Sequence, residues 1–258
     1  MFPIRDHNPS GRTPYVVYAL IAANVLIFLS YVNLMGNERA LQSFFFDWAL
    51  IPARLETGSG YGTLLSSMFL HGGFMHLAGN MLFLWVFGDN LEDQMGHGGF
   101  ALFYLACGIG AGLVHVLFSP GSIVPTVGAS GAIAGVMGGY LLLYPKARVD
   151  LLLILIVIIR IIPVPAWIVL AVWFAMQFVG SIGSDAAAGG IAYWAHTGGF
   201  VVGFLLTVPI WLRLGGPGFW TRTAGHPAHP QAEYRFSQSR IPKVPRGRRP
   251  GSRKSPWG

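Results

Sequence analysis

Residues 100–118 read FALFYLACGIGAGLVHVLF and residues 127–144 read VGASGAIAGVMGGYLLLY, and no charged side chain stands between Gln94 and Pro145. A helix needs about 20 apolar residues to cross the ~30 Å of bilayer hydrocarbon. This one stretch therefore holds two crossings, separated at Ser119-Pro120-Gly121-Ser122, where Pro and Gly break a helix. The flanking sequence extends the pattern. An uncharged segment from 13 to 37 contains the apolar run Tyr15 to Val32, and a second runs from 57 to 88. In the latter Gly58 to Gly62 reads as loop, and a helix is predicted from near Gly73 to Leu91. Residues 191–212 supply a last span.

The segment from 151 to 180 is less regular. Leu151 to Ile162 is rich in β-branched residues, is interrupted by Arg160, and is followed by Pro163 and Pro165. Proline at both positions opposes one continuous helix. Twelve residues are also short for a crossing. The reading is an apolar lead-in or interfacial segment over 151–162 and a span over Pro165–Gly180, with a seventh span over 151–162 as the alternative. The predicted fold class is all-α integral membrane: a six-transmembrane-helix bundle with a disordered basic C-terminal tail.

Composition agrees. The 258 residues are 53% hydrophobic and only 10% charged, with a mean hydropathy of +0.54, against about 25% charged residues in soluble domains. Disorder across the chain is excluded by the same apolar content. The single cysteine, Cys107, excludes a disulfide scaffold and a cysteine zinc site. The net charge of +7 belongs to one end: residues 213–258 hold ten Lys or Arg against Glu233 alone, whereas residues 1–212 hold seven against nine acids.

Basic residues also orient the chain, because Lys and Arg accumulate in cytoplasmic loops. With the N-terminus inside, the inner segments carry Arg5, Arg12, Lys146, Arg148 and the ten tail residues, and the outer ones carry only Arg39 and Arg54, with Arg160 assigned to neither side. Both termini are expected in the cytoplasm. The first apolar run is longer than a secretory signal and lacks a small-residue cleavage site, so it reads as a retained span. The division expected is 1–12 as a cytoplasmic segment, 13–212 as the six-span domain and 213–258 as the tail. The Pro-, Arg-, Gly- and Ser-rich tail cannot bury a core; anionic lipid is its expected partner, and nucleic acid is not.

Polar residues inside spans are costly and ask for a reason. Three places stand out: His71-Gly-Gly-Phe-Met-His76-Leu-Ala-Gly-Asn80, Gly128-Ala129-Ser130-Gly131 and Ala195-His196-Thr197-Gly198-Gly199. His76 and Asn80 are four apart and share a helix face. No His-Glu-x-x-His motif occurs and no carboxylate lies near His76 or His196 along the chain, so a zinc hydrolase is not expected, although three histidines on different helices could still converge. Ser130 falls just inside a predicted helix N-terminus, where free N–H groups and the dipole favour a developing oxyanion. With the fourth span entering from outside, Ser130 lies five residues beyond Pro125, or about 7–8 Å deep. Gly131, Gly135 and Gly139 form one small-residue ridge, and Gly199 and Gly203 form another one turn below His196. Facing each other, the two ridges would bring His196 to Ser130.

This combination resembles the rhomboid family of intramembrane serine proteases. The matches are His71-x4-His76-x3-Asn80, Gly128-Ala-Ser130-Gly131, Ala195-His196-x2-Gly199 and Gly203, in order on the second, fourth and sixth spans. The resemblance covers roughly residues 13–212. It implies Ser130 as nucleophile and His196 as general base and then acid. It further implies an oxyanion hole from the Ser130 N–H, His76 and Asn80, no cofactor or metal, and transmembrane proteins as substrates. Two positions depart from the family pattern. Trp48 is followed by Ala49 where rhomboids often carry Trp-Arg, and Ala134 stands where some members place a tyrosine against the base histidine. A catalytically silent relative that binds transmembrane clients is the alternative, although such proteins typically lack the serine or the histidine. A proton-relaying transporter would favour acids within the spans and inverted repeats, and neither is evident. A bacterial plasma membrane is the expected location.

Overall fold

The computed structural model describes residues 2–8, 10–155, 158–183 and 191–227. Strand β1 (Phe2–Asp6) precedes α1 (Tyr15–Tyr31), which continues into a 3-10 turn over Val32–Gly36. Three shorter helices follow on one side: α2 (Glu38–Trp48), α3 (Pro52–Glu56) and α4 (Thr63–Ser66). The long helices α5 (Phe74–Met95) and α6 (His97–Phe118) then lead to α7 (Ser130–Leu143). A hairpin of β2 (Arg148–Leu155) and β3 (Ile158–Pro165) connects to α8 (Ala166–Gly183), α9 (Tyr193–Arg213) and α10 (Pro217–Thr223).

By length and composition four helices can cross a membrane: Tyr15–Gly36, His97–Phe118, Ala166–Gly183 and Tyr193–Arg213. The other two expected spans are helical but differ in kind. Helix α5 has 22 residues but carries Asp89, Glu92 and Asp93 in its last turns, and α7 has only 14. The charge-free stretches predict six crossings, of which four have the length and composition to span. The acids are explained by their partners. Glu92, almost fully buried, accepts hydrogen bonds from the N–H groups of Val16 and Val17 at 2.9 and 2.8 Å. Helix α1 begins after Pro14 with no side-chain cap of its own, so a carboxylate from α5 satisfies its free N–H groups.

The expected all-α class needs correction. Strands β1, β2 and β3 form an antiparallel three-stranded sheet in that order, with Asp6 opposite Val149 and Arg148 opposite Pro165. Residues 151–155 and 158–162 thus pair as antiparallel strands rather than lying as an apolar lead-in, and Pro163 and Pro165 fall near the end of an extended strand, where they break no helix. The N-terminal segment completes the sheet, where Asp150 receives Arg5 at 3.1 Å and His7 at 2.5 Å. The tail boundary also moves. Residues 217–223 form α10, whose Phe219 is buried and whose Trp220 donates to the Leu142 carbonyl at 2.9 Å. The remainder of the expected disordered tail, 228–258, lies outside the described residues.

Helix α7 is the hub, with twelve of its 14 residues buried. At 1.5 Å per residue it is about 21 Å long, shorter than the hydrocarbon it would span, and its neighbours enclose it. Glycine makes its closest contact possible. A methyl group built on Gly199 would run into the Gly131 carbonyl, and one on Gly203 into that of Gly135. The two ridges read from the sequence therefore face each other backbone to backbone. Gly203→Ala is expected to force α9 off α7, costing about 1–3 kcal/mol, seen as a lower thermal midpoint in detergent.

A polar knot ties the opposite end of α7 to the sheet. Asp6 accepts from the Tyr140 hydroxyl at 3.1 Å and from Asn90 at 2.9 Å, and Asn8 donates to Tyr140 at 3.1 Å. Burial, with the Asp89 charge adding to it, pushes the Asp6 carboxyl up to about 7. The folded chain then holds a proton there that the unfolded chain releases near pH 4. This contribution to stability is full below pH 4 and is lost as the pH rises to 7. Asp6→Asn should flatten the fall of thermal midpoint between pH 4 and 7, and a slope equal to the parent's would refute the assignment.

Candidate active site

Ser130 is the first residue of α7. The residue before it, Ala129, offers no side-chain cap, and the first intrahelical bond is the one from Ile133 to the Ala129 carbonyl at 3.0 Å. The N–H groups of Ser130, Gly131 and Ala132 precede that bond, so they stand at the positive end of the helix dipole. Three backbone contacts hold the incoming loop. Leu50 and Thr126 exchange hydrogen bonds at 3.0 and 2.8 Å, and Gly128 donates to the Ser67 carbonyl at 2.9 Å. Gly128 itself has φ +135°, a conformation left to glycine.

The close α7–α9 packing brings His196 to this helix end. Its Nε2 lies 2.7 Å from the Ser130 hydroxyl, which is hydrogen-bond distance for a proton passing between them. Its Nδ1 faces the side-chain oxygen of Gln177, on α8, at 2.8 Å. The Trp173 ring, also from α8, packs on the imidazole with centroids 5.9 Å apart at 37°.

His76 and Asn80 meet the same space from α5. A methyl group on Gly128 would stand 2.9 Å from His76 Nε2 and 3.3 Å from the Ser130 hydroxyl, so histidine and serine flank the bare glycine. The His76 Nδ1 accepts from the Gly72 N–H at 3.4 Å. That leaves the other ring nitrogen to carry hydrogen and act as a donor. The Asn80 amide nitrogen is buried with no hydrogen-bond partner among the described residues, which is costly unless a substrate oxygen meets it. Ser130, His196, His76 and Asn80 all line one cavity of about 560 Å³. His71 is fully buried behind it, its ring 5.1 Å from that of His76 and its backbone held by the Tyr31 hydroxyl. His115, on α6, also lines the cavity and bonds the Thr126 hydroxyl at 2.9 Å, steadying the loop before Ser130.

A Rhomboid domain model matches residues 59–213. The chain belongs to the rhomboid family. Among similar proteins, the mitochondrial Rhomboid protein 1 of Saccharomyces cerevisiae is 32% identical over 74% of this chain and 51% of its own length. The rhomboid protease GluP of Bacillus subtilis is 35% identical over 50% of this chain and 24% of its own length. The mitochondrial RHOMBOID-like protein 6 of Arabidopsis thaliana is 39% identical over 37% of this chain and 29% of its own length. The chain thus spans about half, or less, of the relatives it matches. Family and apolar helices together make it an integral membrane protein.

The two departures from the rhomboid pattern are met by other residues. In place of a Trp-Arg pair, Arg54 donates to the Phe46 carbonyl and lies 4.8 Å over the Phe46 ring, and Ser66 donates to the Trp48 carbonyl at 2.6 Å. In place of a tyrosine at Ala134, Trp173 and Gln177 brace the histidine from α8. The sequence reading passes over both residues. Gln177 carried a usable signal, being an amide inside an otherwise apolar span; Trp173 carried none among eight tryptophans. Gly128→Ala should strain the loop and push against His76, displacing two site residues at once. The expected result is at least a tenfold lower rate of Ser130 labelling by a fluorophosphonate, with the fold retained.

Proposed function

We propose that this rhomboid is an intramembrane serine endopeptidase that cuts transmembrane proteins in or near their membrane-spanning helices. The observation that carries the reading is the 2.7 Å approach of Ser130 Oγ to His196 Nε2 at the free N-terminus of α7. Nucleophile, base and oxyanion donors then stand in one cavity. The Ser130 hydroxyl gives its proton to Nε2 as its oxygen bonds the scissile carbonyl carbon. The negative charge falls on the carbonyl oxygen, where the Ser130 N–H, His76 and Asn80 stabilise it. As the carbon–nitrogen bond breaks, Nε2 returns the proton to the leaving amine. Water, activated by the same imidazole, then hydrolyses the serine ester and restores the hydroxyl.

The proposed domain is a six-span unit over residues 13–212 with α1, α5, α6, α7, α8 and α9 as crossings, α7 short because the others surround it. The Lys and Arg distribution supports cytoplasmic termini, which puts the Ser130 end of α7 toward the outer leaflet, in a bacterial plasma membrane. A substrate helix has its carbonyls hydrogen-bonded internally, so cleavage near an outer end carrying small or helix-breaking residues is favoured. The basic tail would rest on anionic lipid.

Cleavage of a labelled single-span substrate in proteoliposomes tests the reading. Ser130→Ala should abolish turnover, His196→Ala should lower it about 10²- to 10⁴-fold, and Asn80→Ala about 10²-fold. Cleavage surviving Ser130→Ala would mean another nucleophile. A folded parent chain that cuts none of several substrates would favour the client-binding alternative.

A further inference from the structure

We infer that Gln177 is a positioning residue for the dyad: its side-chain oxygen accepts the Nδ1–H of His196 and so holds the imidazole in the tautomer whose Nε2 can take the Ser130 proton. The inference rests on the serine-protease reading and adds a third residue to it. A neutral imidazole carries one hydrogen on one of two nitrogens, and the partner of the far nitrogen decides which. Ser130 faces Nε2 at 2.7 Å and Gln177 Oε1 faces Nδ1 at 2.8 Å, so the ring is held from both sides. With the hydrogen on Nε2 instead, the ring could only donate to Ser130 and could not act as its base.

Helix α8 is placed to hold this contact. The Ser181 hydroxyl bonds that of Thr197 at 2.9 Å, one turn beyond Gln177 on α8 and next to His196 on α9. On the other side of Gln177, Trp173 covers the imidazole face, and Phe174 packs on Phe200 with centroids 4.7 Å apart. Gly180 lets the Tyr193 ring approach closely. Of the described α8 residues only Ala166, Leu170 and Ser181 are buried, so the polar contacts to α9 are a large part of what aligns the helix there. Catalytic competence then depends on α8 being seated, although α8 holds none of the reacting groups.

Gln177→Met keeps the length and shape of the side chain and removes the acceptor, whereas Gln177→Glu keeps an acceptor. The Met variant should lose about 10- to 100-fold in kcat for the labelled substrate with KM within a factor of two, and the Glu variant should retain most of the turnover. Ser181→Ala removes a neighbouring α8–α9 hydrogen bond without touching His196 and should leave kcat within a factor of three. Nitrogen NMR of the full chain with labelled histidine reads the tautomer without any turnover. His196 should be Nδ1-protonated in the parent chain and lose that preference in the Met variant. An unchanged tautomer, or a folded Met variant with the parent's kcat, would overturn the inference. Equal losses in the Met and Ser181→Ala variants would overturn it in favour of plain helix packing. An inactive parent that nonetheless shows the Nδ1-protonated ring would separate failure of the protease reading from failure of this one.

Discussion

The backbone contact between α7 and α9 is what the site depends on. Gly199 lies against the Gly131 carbonyl and Gly203 against that of Gly135, an approach open only to residues without a side chain. Inside a bilayer, lipid tails are as apolar as any side chain, so helices gain from contact mainly through close van der Waals packing and interhelical hydrogen bonds. Glycine ridges maximise the first of these. His196 sits three residues before Gly199, and Ser130 directly before Gly131. The same packing that holds the two helices together therefore sets the distance between Ser130 and His196, and an extra methyl group at either contact would change both.

The shortness of α7 has a second consequence. A 14-residue helix stops well before the full thickness of hydrocarbon, and the space beyond its N-terminus is closed by loops rather than by more helix. Those loops are tied by Leu50–Thr126 pairing and by the Gly128 to Ser67 bond, which leaves a cavity into which Ser130, His76, Asn80 and His196 bring polar groups. At the other end, Tyr140 is fixed by Asp6 and Asn8, so the helix is held lengthwise as well as laterally. A helix that cannot slide keeps its first turn, and Ser130 with it, at a constant depth.

Much of this was legible in the sequence, for definable reasons. Charge-free stretches and their proline and glycine breaks locate α1 and α5 to α9 within a few residues, because helices packed in hydrocarbon are built almost wholly of apolar residues. Ser130, His196, His76 and Asn80 stand out because a polar group in a span needs a partner. The sheet was not legible. Its strands come from residues 2–6 and 148–165, and nothing local at Phe2–Asp6 announces a partner about 145 residues away. Helix α10 was hidden by the basic composition around it, although Phe219 and Trp220 were apolar enough to dock. The bracing of His196 was hidden for a different reason. Hydrogen-bond partners on separate helices leave no spacing to read, and only the fold shows that Gln177 and His196 share one face of the α8–α9 contact.

Why an amide should occupy that place follows from the surroundings. A carboxylate beside the imidazole would stabilise the imidazolium formed during acylation, as in soluble serine proteases. On α8, however, a carboxylate would have to enter the membrane on a helix that buries only three of its described residues, and an acid within a span is costly, up to roughly 2.5–3.5 kcal/mol at the centre and less at a shallower depth. The chain keeps its other span acids only where several donors meet them, as at Glu92. A glutamine orients the ring and selects the tautomer without that charge. In the proposed reaction the imidazolium would then be stabilised by the oxyanion it faces, formed at the same moment and within the same cavity. An uncharged brace therefore costs little in the resting protein, and in the proposed reaction it would leave the charge separation to the transition state, where the donors of α5 and α7 would meet it.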